Sequence, residues 1–453
     1  MNGGLSRWTM AYFATALGAF LMAQLLMAVG FTYPAAPLMS PRTFVGVHLL
    51  TLGWLTLLMI GALLQFVPVI TGSASIGERA GLASLIAIGV GLMGMIVGFL
   101  ALDGLLPAHC TAALPIGGSL VMGGLLPVGV IIGRALAAGR PLALSGCFVA
   151  VSLCFLLLTV GLGLGFALAL AWPEIFPWGA LLSRGLELHA MSGLVGWFTL
   201  TAIGVSYRLL SMFMLAPEEE GGIGAWVLRL ATAGLALVWI DAFLEDAPGA
   251  RLLADGAAFL LVAAAVLYLI DMVRIFRGRR RPVLELNSKA GAAALVALAG
   301  CVLGFAMIVA TGAGTLMIGP LAYFLLFGWL SGLGLGQLYK IVPFLTWLER
   351  YGPRLGKEAV PRVQDLVNER RAAPWFAVYF LAVIAGTVAG ALGSVDLWRV
   401  AILVHLLASL FILRELWRAR YAPPDPTSTA RPVASLPMVA RPATSFPRTG
   451  ASS

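Results

Sequence analysis

Charged side chains are scarce in this sequence: Asp, Glu, Lys and Arg make up 11% of its 453 residues, where soluble domains carry roughly a quarter. A soluble globular protein is thereby excluded. Cysteine is scarce as well. Cys110, Cys147, Cys154 and Cys301 are the only four, and none stands in a CxxC pair. That rules out a disulfide framework and a thiolate metal motif, and leaves them as buried small hydrophobes. Histidine also numbers four, namely His48, His109, His189 and His405.

What the chain has in abundance is apolar side chain, 60% of the total, with a mean hydropathy of +0.97. A bilayer core about 30 Å thick takes about 20 apolar residues per helix. Twelve such runs can be read, near residues 8–30, 44–70, 81–103, 112–136, 142–171, 185–214, 223–245, 252–275, 289–311, 318–345, 375–395 and 398–418. The expected fold class is an all-α integral membrane protein with twelve transmembrane helices. The net charge of +9 points to the lipid bilayer and not to nucleic acid, because the positive residues have a side. Connections after even-numbered runs carry Arg79, Arg134, Arg140, Arg277, Arg279, Arg280, Arg281, Arg350, Arg354 and Lys357, whereas those after odd-numbered runs carry little beyond Arg42, Arg184, Arg251 and Arg399. The positive-inside rule then puts both termini in the cytoplasm. The first run lacks a small-residue cleavage site and reads as a retained helix. Within the connection 346–374, a short surface helix is expected near Val363 to Arg370, at the headgroup level. Residues 421–453, rich in Pro, Ser, Thr, Ala and Arg, read as a disordered cytoplasmic tail.

The stretch GVHLLTLGWLTLLMIGALLQFVP, Gly46 to Pro68, organises the rest. A shift of 143 residues carries Gly53-Trp54 onto Gly196-Trp197, and one of 275 carries it onto Gly328-Trp329. With them Thr56 meets Thr199, Gly61 meets Gly204 and Gly336, and Val67-Pro68 meets Val342-Pro343. This is the pattern of an internal repeat. It sits on runs two, six and ten, so three four-helix units are expected, about 1–140, 141–283 and 284–420, arranged with pseudo-threefold symmetry about the membrane normal. Small residues such as Gly161, Gly163 and Gly165, or Gly332, Gly334 and Gly336, fit close helix packing or a flat ligand.

Ionisable residues inside a membrane are costly and mark functional sites, and imidazole is the commonest ligand of haem iron and copper. His48, His189 and His405 lie inside apolar runs; His109 follows Pro107 in a loop and reads as a surface residue. In the repeat register His48 aligns with Met191 and Tyr323, so three side chains able to ligate a metal or haem stand at one level, with His189 half a turn from Met191. Ordinary packing is the alternative reading for Met191 and Tyr323. Trp54, Trp197 and Trp329 accompany them as candidate cofactor contacts. Glu187, two residues before His189, is a candidate acceptor for that imidazole. Asp241 and Glu245 share a helix face, as a cation entry point or a solvated helix end.

LHAMSGLVGW around His189, and VHLLTLGW with GALLQFVP around His48, resemble the haem-ligating helix of subunit I of haem-copper oxidases. The cbb-type and nitric oxide reductase branch is the most similar, and the same segments resemble NnrS, a haem-copper membrane protein family linked to nitric oxide. The resemblance implies a bacterial inner membrane, a b-type haem, copper, and an electron donor or second membrane subunit as partner. His48 stands where the family places a low-spin haem ligand, and His189 on the helix that supplies a copper ligand. A complete oxidase needs histidines for two haems and a copper, more than the four present. A full oxidase or nitric oxide reductase centre is therefore excluded. What the resemblance leaves is one b-type haem, one copper, or both, near the periplasmic face, with His48, His189 and His405 as ligand candidates and a role in electron transfer or in nitric oxide or oxygen metabolism. A copper-handling or solute-permeation protein without redox chemistry is the alternative.

Overall fold

In lipid a segment must satisfy its backbone polar groups internally, which leaves long apolar runs only the helix. The computed structural model describes residues 8–72, 78–217, 222–244, 250–312 and 314–421; the expected tail beyond 421 lies outside the described residues, as does Glu245. Among the described residues twelve helices are long and apolar enough to cross a membrane. They are α1 (Thr9–Ala28), α2 (Pro41–Thr71), α3 (Ala80–Leu102), α4 (Ala108–Ala138), α5 (Leu144–Ala171) and α6 (Gly185–Met214), followed by α7 (Gly222–Leu244), α8 (Arg251–Arg277), α9 (Leu286–Thr311), α10 (Met317–Arg350), α11 (Glu369–Ala391) and α12 (Val395–Tyr421). All twelve expected runs are present. The expected surface helix near 363–370 is not: it is one 3₁₀ turn, Val363–Leu366, followed by the head of α11. The Asn368 side chain accepts from the Arg371 backbone N–H, and this cap starts α11 on charged residues ahead of its apolar run.

Consecutive helices pack as α1 on α2, α3 on α4, α5 on α6, α7 on α8, α9 on α10 and α11 on α12. Further contacts join α4 to α5 and α8 to α9, and α12 returns to α1, so the bundle closes into a ring. Glycine sets the closest of these approaches. A Cβ on Gly53 would meet that of Ala19 at 2.7 Å, and one on Gly328 would meet that of Ala297 at 3.0 Å, so α2 and α10 each lie hard against the helix before them.

Helices α2, α6 and α10 share a local irregularity. Each widens into a π-helix of eight residues: Leu49–Thr56, Ser192–Thr199 and Phe324–Ser331. The residues that open these segments are His48, Met191 and Tyr323, the same three that the repeat register aligns. Extended π-helix is rare and clusters at functional sites. Trp54, Trp197 and Trp329 lie inside the π segments and are buried completely. The Trp54 indole N–H donates to Ser331 Oγ at 2.9 Å, and that of Trp197 donates to Thr56 Oγ1 at 3.3 Å. Trp329 Nε1 has no hydrogen-bond partner among the described residues, and Thr199 Oγ1 donates to the Leu194 carbonyl instead. All three tryptophans are thus core residues, Trp54 and Trp197 also fasten neighbouring helices, and none lines the cavity described next.

Candidate metal centre

His48 and His189 stand 141 positions apart in sequence but face each other across one cavity, with ring centroids 6.4 Å apart. His48 ends the regular first part of α2, where Ser40 caps the helix and Pro41 opens it. Its Nδ1 bonds the Phe44 carbonyl, one turn back, at 2.8 Å. His189 Nδ1 bonds the Thr159 carbonyl on α5 at 2.9 Å. A carbonyl only accepts, so each Nδ1 carries the proton and each Nε2 keeps its lone pair free for a ligand. That is the tautomer of metal-ligating imidazoles. Phe99 of α3 lies against the His48 ring at 5.0 Å, and Phe166 of α5 meets His189 edge-on at 5.6 Å. Gly163 gives the His189 ring its room, since a Cβ there would stand 3.0 Å from His189 Cε1.

The cavity between them has a volume of about 280 Å³ and is walled by α2 to α6. Its lining is apolar, with Phe44, Phe99, Phe166 and Leu170 prominent, and among the described residues the only polar side chains on it are the two imidazoles. Two thioethers join them: Met95 of α3, which is buried, and Met39, which is exposed ahead of α2. Glu187 is exposed, and the Nδ1 of His189 goes to Thr159 in its place. Met191 does not line the cavity.

His405 and Tyr323 form a separate cluster. His405 is wholly buried among Phe20, Phe327, Tyr323 and Tyr379, with centroids at 4.5–6.4 Å. Its Nδ1 is 3.3 Å from Tyr323 Oη, and its Nε2 has no hydrogen-bond partner among the described residues. Aromatic rings fill this region. His109 is exposed in a short 3₁₀ turn.

At the opposite end of the bundle lies a second cavity, of about 420 Å³, lined in part by Arg281, Glu285, Asn287, Tyr339 and Lys340. Glu285 accepts from Arg281, Lys340 and Gln364. Burial acts to raise its carboxyl, but the hydrogen bond and charge of Lys340, the charge of Arg281 and the bond from Gln364 together hold it below the usual carboxylate range. Sequence reading passed over this cluster, and also Met95, Phe99 and Thr159; Gly163 it singled out as a small residue, without its place against His189. Lys340 lies 55 positions from Glu285, and backbone carbonyls leave no mark in a sequence.

No protein-family model and no curated protein matches the chain by sequence. By structure, the chain is similar to one solved by cryo-electron microscopy in a haem-copper terminal oxidase dimer. The two share 12% sequence identity at a TM-score of 0.61, over 94% of this chain and 84% of that one. The likeness is one of fold.

Proposed function

We propose that this chain is a bacterial inner-membrane protein on the haem-copper oxidase scaffold that keeps one metal centre, held between His48 and His189 near the periplasmic face. It takes part in electron transfer or in the handling of oxygen or nitric oxide, and is not a terminal oxidase. One observation carries the reading: two half-buried imidazoles from separate helices, each locked by its Nδ1 to a backbone carbonyl, face each other with ring centroids 6.4 Å apart. A metal–imidazole nitrogen bond of about 2.0 Å, with roughly 1.1 Å more from nitrogen to ring centre, sets the centroids of two ligands of one ion about 6.2 Å apart. The iron of a b-type haem and a copper ion both meet that spacing. Either would supply one-electron redox chemistry; the protein's own part is to fix the two rings and to surround them with an apolar lining.

The three-unit plan, about 1–140, 141–283 and 284–420, belongs to the same reading. It is supported by the three π segments in register and by the two tryptophan bonds. Each of those bonds runs from one unit to the hydroxyl two positions past the tryptophan in a neighbouring unit. Both termini are assigned to the cytoplasm. His405 is then a packing residue of the third unit, since its surroundings are already filled.

The test is metal analysis with a reduced-minus-oxidised optical spectrum on the protein purified from its membrane. One iron or copper per chain is expected, lost in both His48→Ala and His189→Ala and kept in His405→Phe. Protein that carries neither metal, or that keeps its metal in both variants, would refute the centre.

A further inference from the structure

Taking His48 and His189 as one centre, we infer that its occupant is a bare monovalent copper ion with the Met95 thioether as third ligand, and not a porphyrin-bound iron. Four observations converge on this. The cavity of about 280 Å³ lies below the roughly 300–1,000 Å³ of clefts that take drug-sized molecules, and a haem is larger than most of those. Phe99 packs against one imidazole and Phe166 against the other, so aromatic rings already take up part of the lining beside both ligands.

The donor set is soft. Two neutral imidazole nitrogens and the thioethers of Met95 and Met39 line the cavity without a carboxylate or thiolate among them. Among the described residues no group of three or more His, Cys, Asp and Glu is placed to hold an ion. Zinc, iron and manganese sites draw on thiolates, carboxylates or further imidazoles, whereas thioether with imidazole suits monovalent copper. Charge points the same way. Among the described residues the lining offers no anion, and the cost of burying an ion rises steeply with its charge, so a single positive charge shared over three neutral donors is the least expensive cation to hold there.

Met95 is in reach because it lies one helical turn from Phe99, which packs on the His48 ring. The 6.4 Å between ring centroids matches the roughly 6.2 Å of a near-linear nitrogen–metal–nitrogen pair, which would leave a lateral position for the Met95 thioether that lines the same cavity. Met39, 59% exposed, places a second thioether at the outer end of the cavity, where an arriving ion passes first.

The experiment is anaerobic loading of the full chain in nanodiscs with ascorbate-reduced copper. Affinity is read by competition with a chromogenic copper(I) chelator, and coordination by copper X-ray absorption. One copper per chain is expected, with two nitrogens at about 2.0 Å and one sulfur near 2.3 Å. Met95→Leu preserves volume; it should fold normally, lose the sulfur shell and bind at least about tenfold more weakly, the lower end of what losing even a supporting partner costs a metal site. A copper centre with no sulfur, or one unchanged in Met95→Leu, overturns the assignment of the third ligand. A Soret band that depends on both histidines overturns the copper assignment and leaves the paired-histidine centre standing. Failure to bind either copper or haem refutes the centre itself.

Discussion

The tryptophan bonds between helices give a prediction in which one site controls for another. Trp54 and Trp329 hold equivalent places in their π segments and are both fully buried. Replacing either with Phe removes the same volume, at a cost on the order of 1 kcal/mol if the site does not collapse. The polar consequences differ. Trp54→Phe removes the donor at 2.9 Å from Ser331 Oγ, and hydrogen bonds between membrane helices contribute about 0.6 kcal/mol on average and up to about 1.7. Trp329→Phe removes an N–H with no partner among the described residues, and eliminating an unsatisfied buried donor recovers about 1–3 kcal/mol. Trp54→Phe should therefore be the more destabilising by about 1.6–4.7 kcal/mol, the sum of those two polar effects, and Trp329→Phe should be neutral or stabilising by up to about 2 kcal/mol. Reversible unfolding in mixed detergent micelles, followed by circular dichroism, reads both. Equal losses, or a larger one in Trp329→Phe, would refute the reasoning and the assignment of a bonded and an open junction.

Gly163→Ala should push the His189 ring by a few tenths of an ångström, because its Cβ would stand 3.0 Å from Cε1; metal affinity should fall by about tenfold while the melting temperature holds, which competition titration and thermal scanning read side by side. His405→Phe removes an unpartnered Nε2 from an aromatic shell but also the Nδ1 contact with Tyr323 Oη; the two polar effects offset, so stability should change by less than about 1 kcal/mol, and a larger loss would count against a packing role. At the opposite end, Glu285→Gln should cost about 1–3 kcal/mol by dissolving the contacts of Lys340 and Arg281. The carboxyl is held below its ordinary value, so its contribution is complete above the unfolded pKa of about 4.3 and is lost as pH falls through the lower folded value. Stability measured between pH 7 and 3 should show that acid limb in the parent and a weaker one in the glutamine variant.

The sequence by itself determined the twelve spans and the register of the three Gly-Trp segments. Run length against bilayer thickness is a one-dimensional property, and scarce residues such as tryptophan fix an alignment without any neighbour being known. The register carried as far as His48, Met191 and Tyr323, which the structure places at the same point of three π segments. It could not tell what those residues meet. Equivalent side chains on helices set around a closed ring turn toward different neighbours: His48 looks across to His189, while Tyr323 turns into the aromatic shell of His405. The π segments add to this, since widening a helix by one residue shifts every later side chain by about 100° from where a 3.6-residue period would put it. Only the tertiary structure decided that two histidines of four share a cavity, that a third is sealed away, and that Met95 from a helix without any motif stands beside the pair. Those relations are set by how closely the helices pack, and the glycines that allow it act through contacts with residues far along the chain.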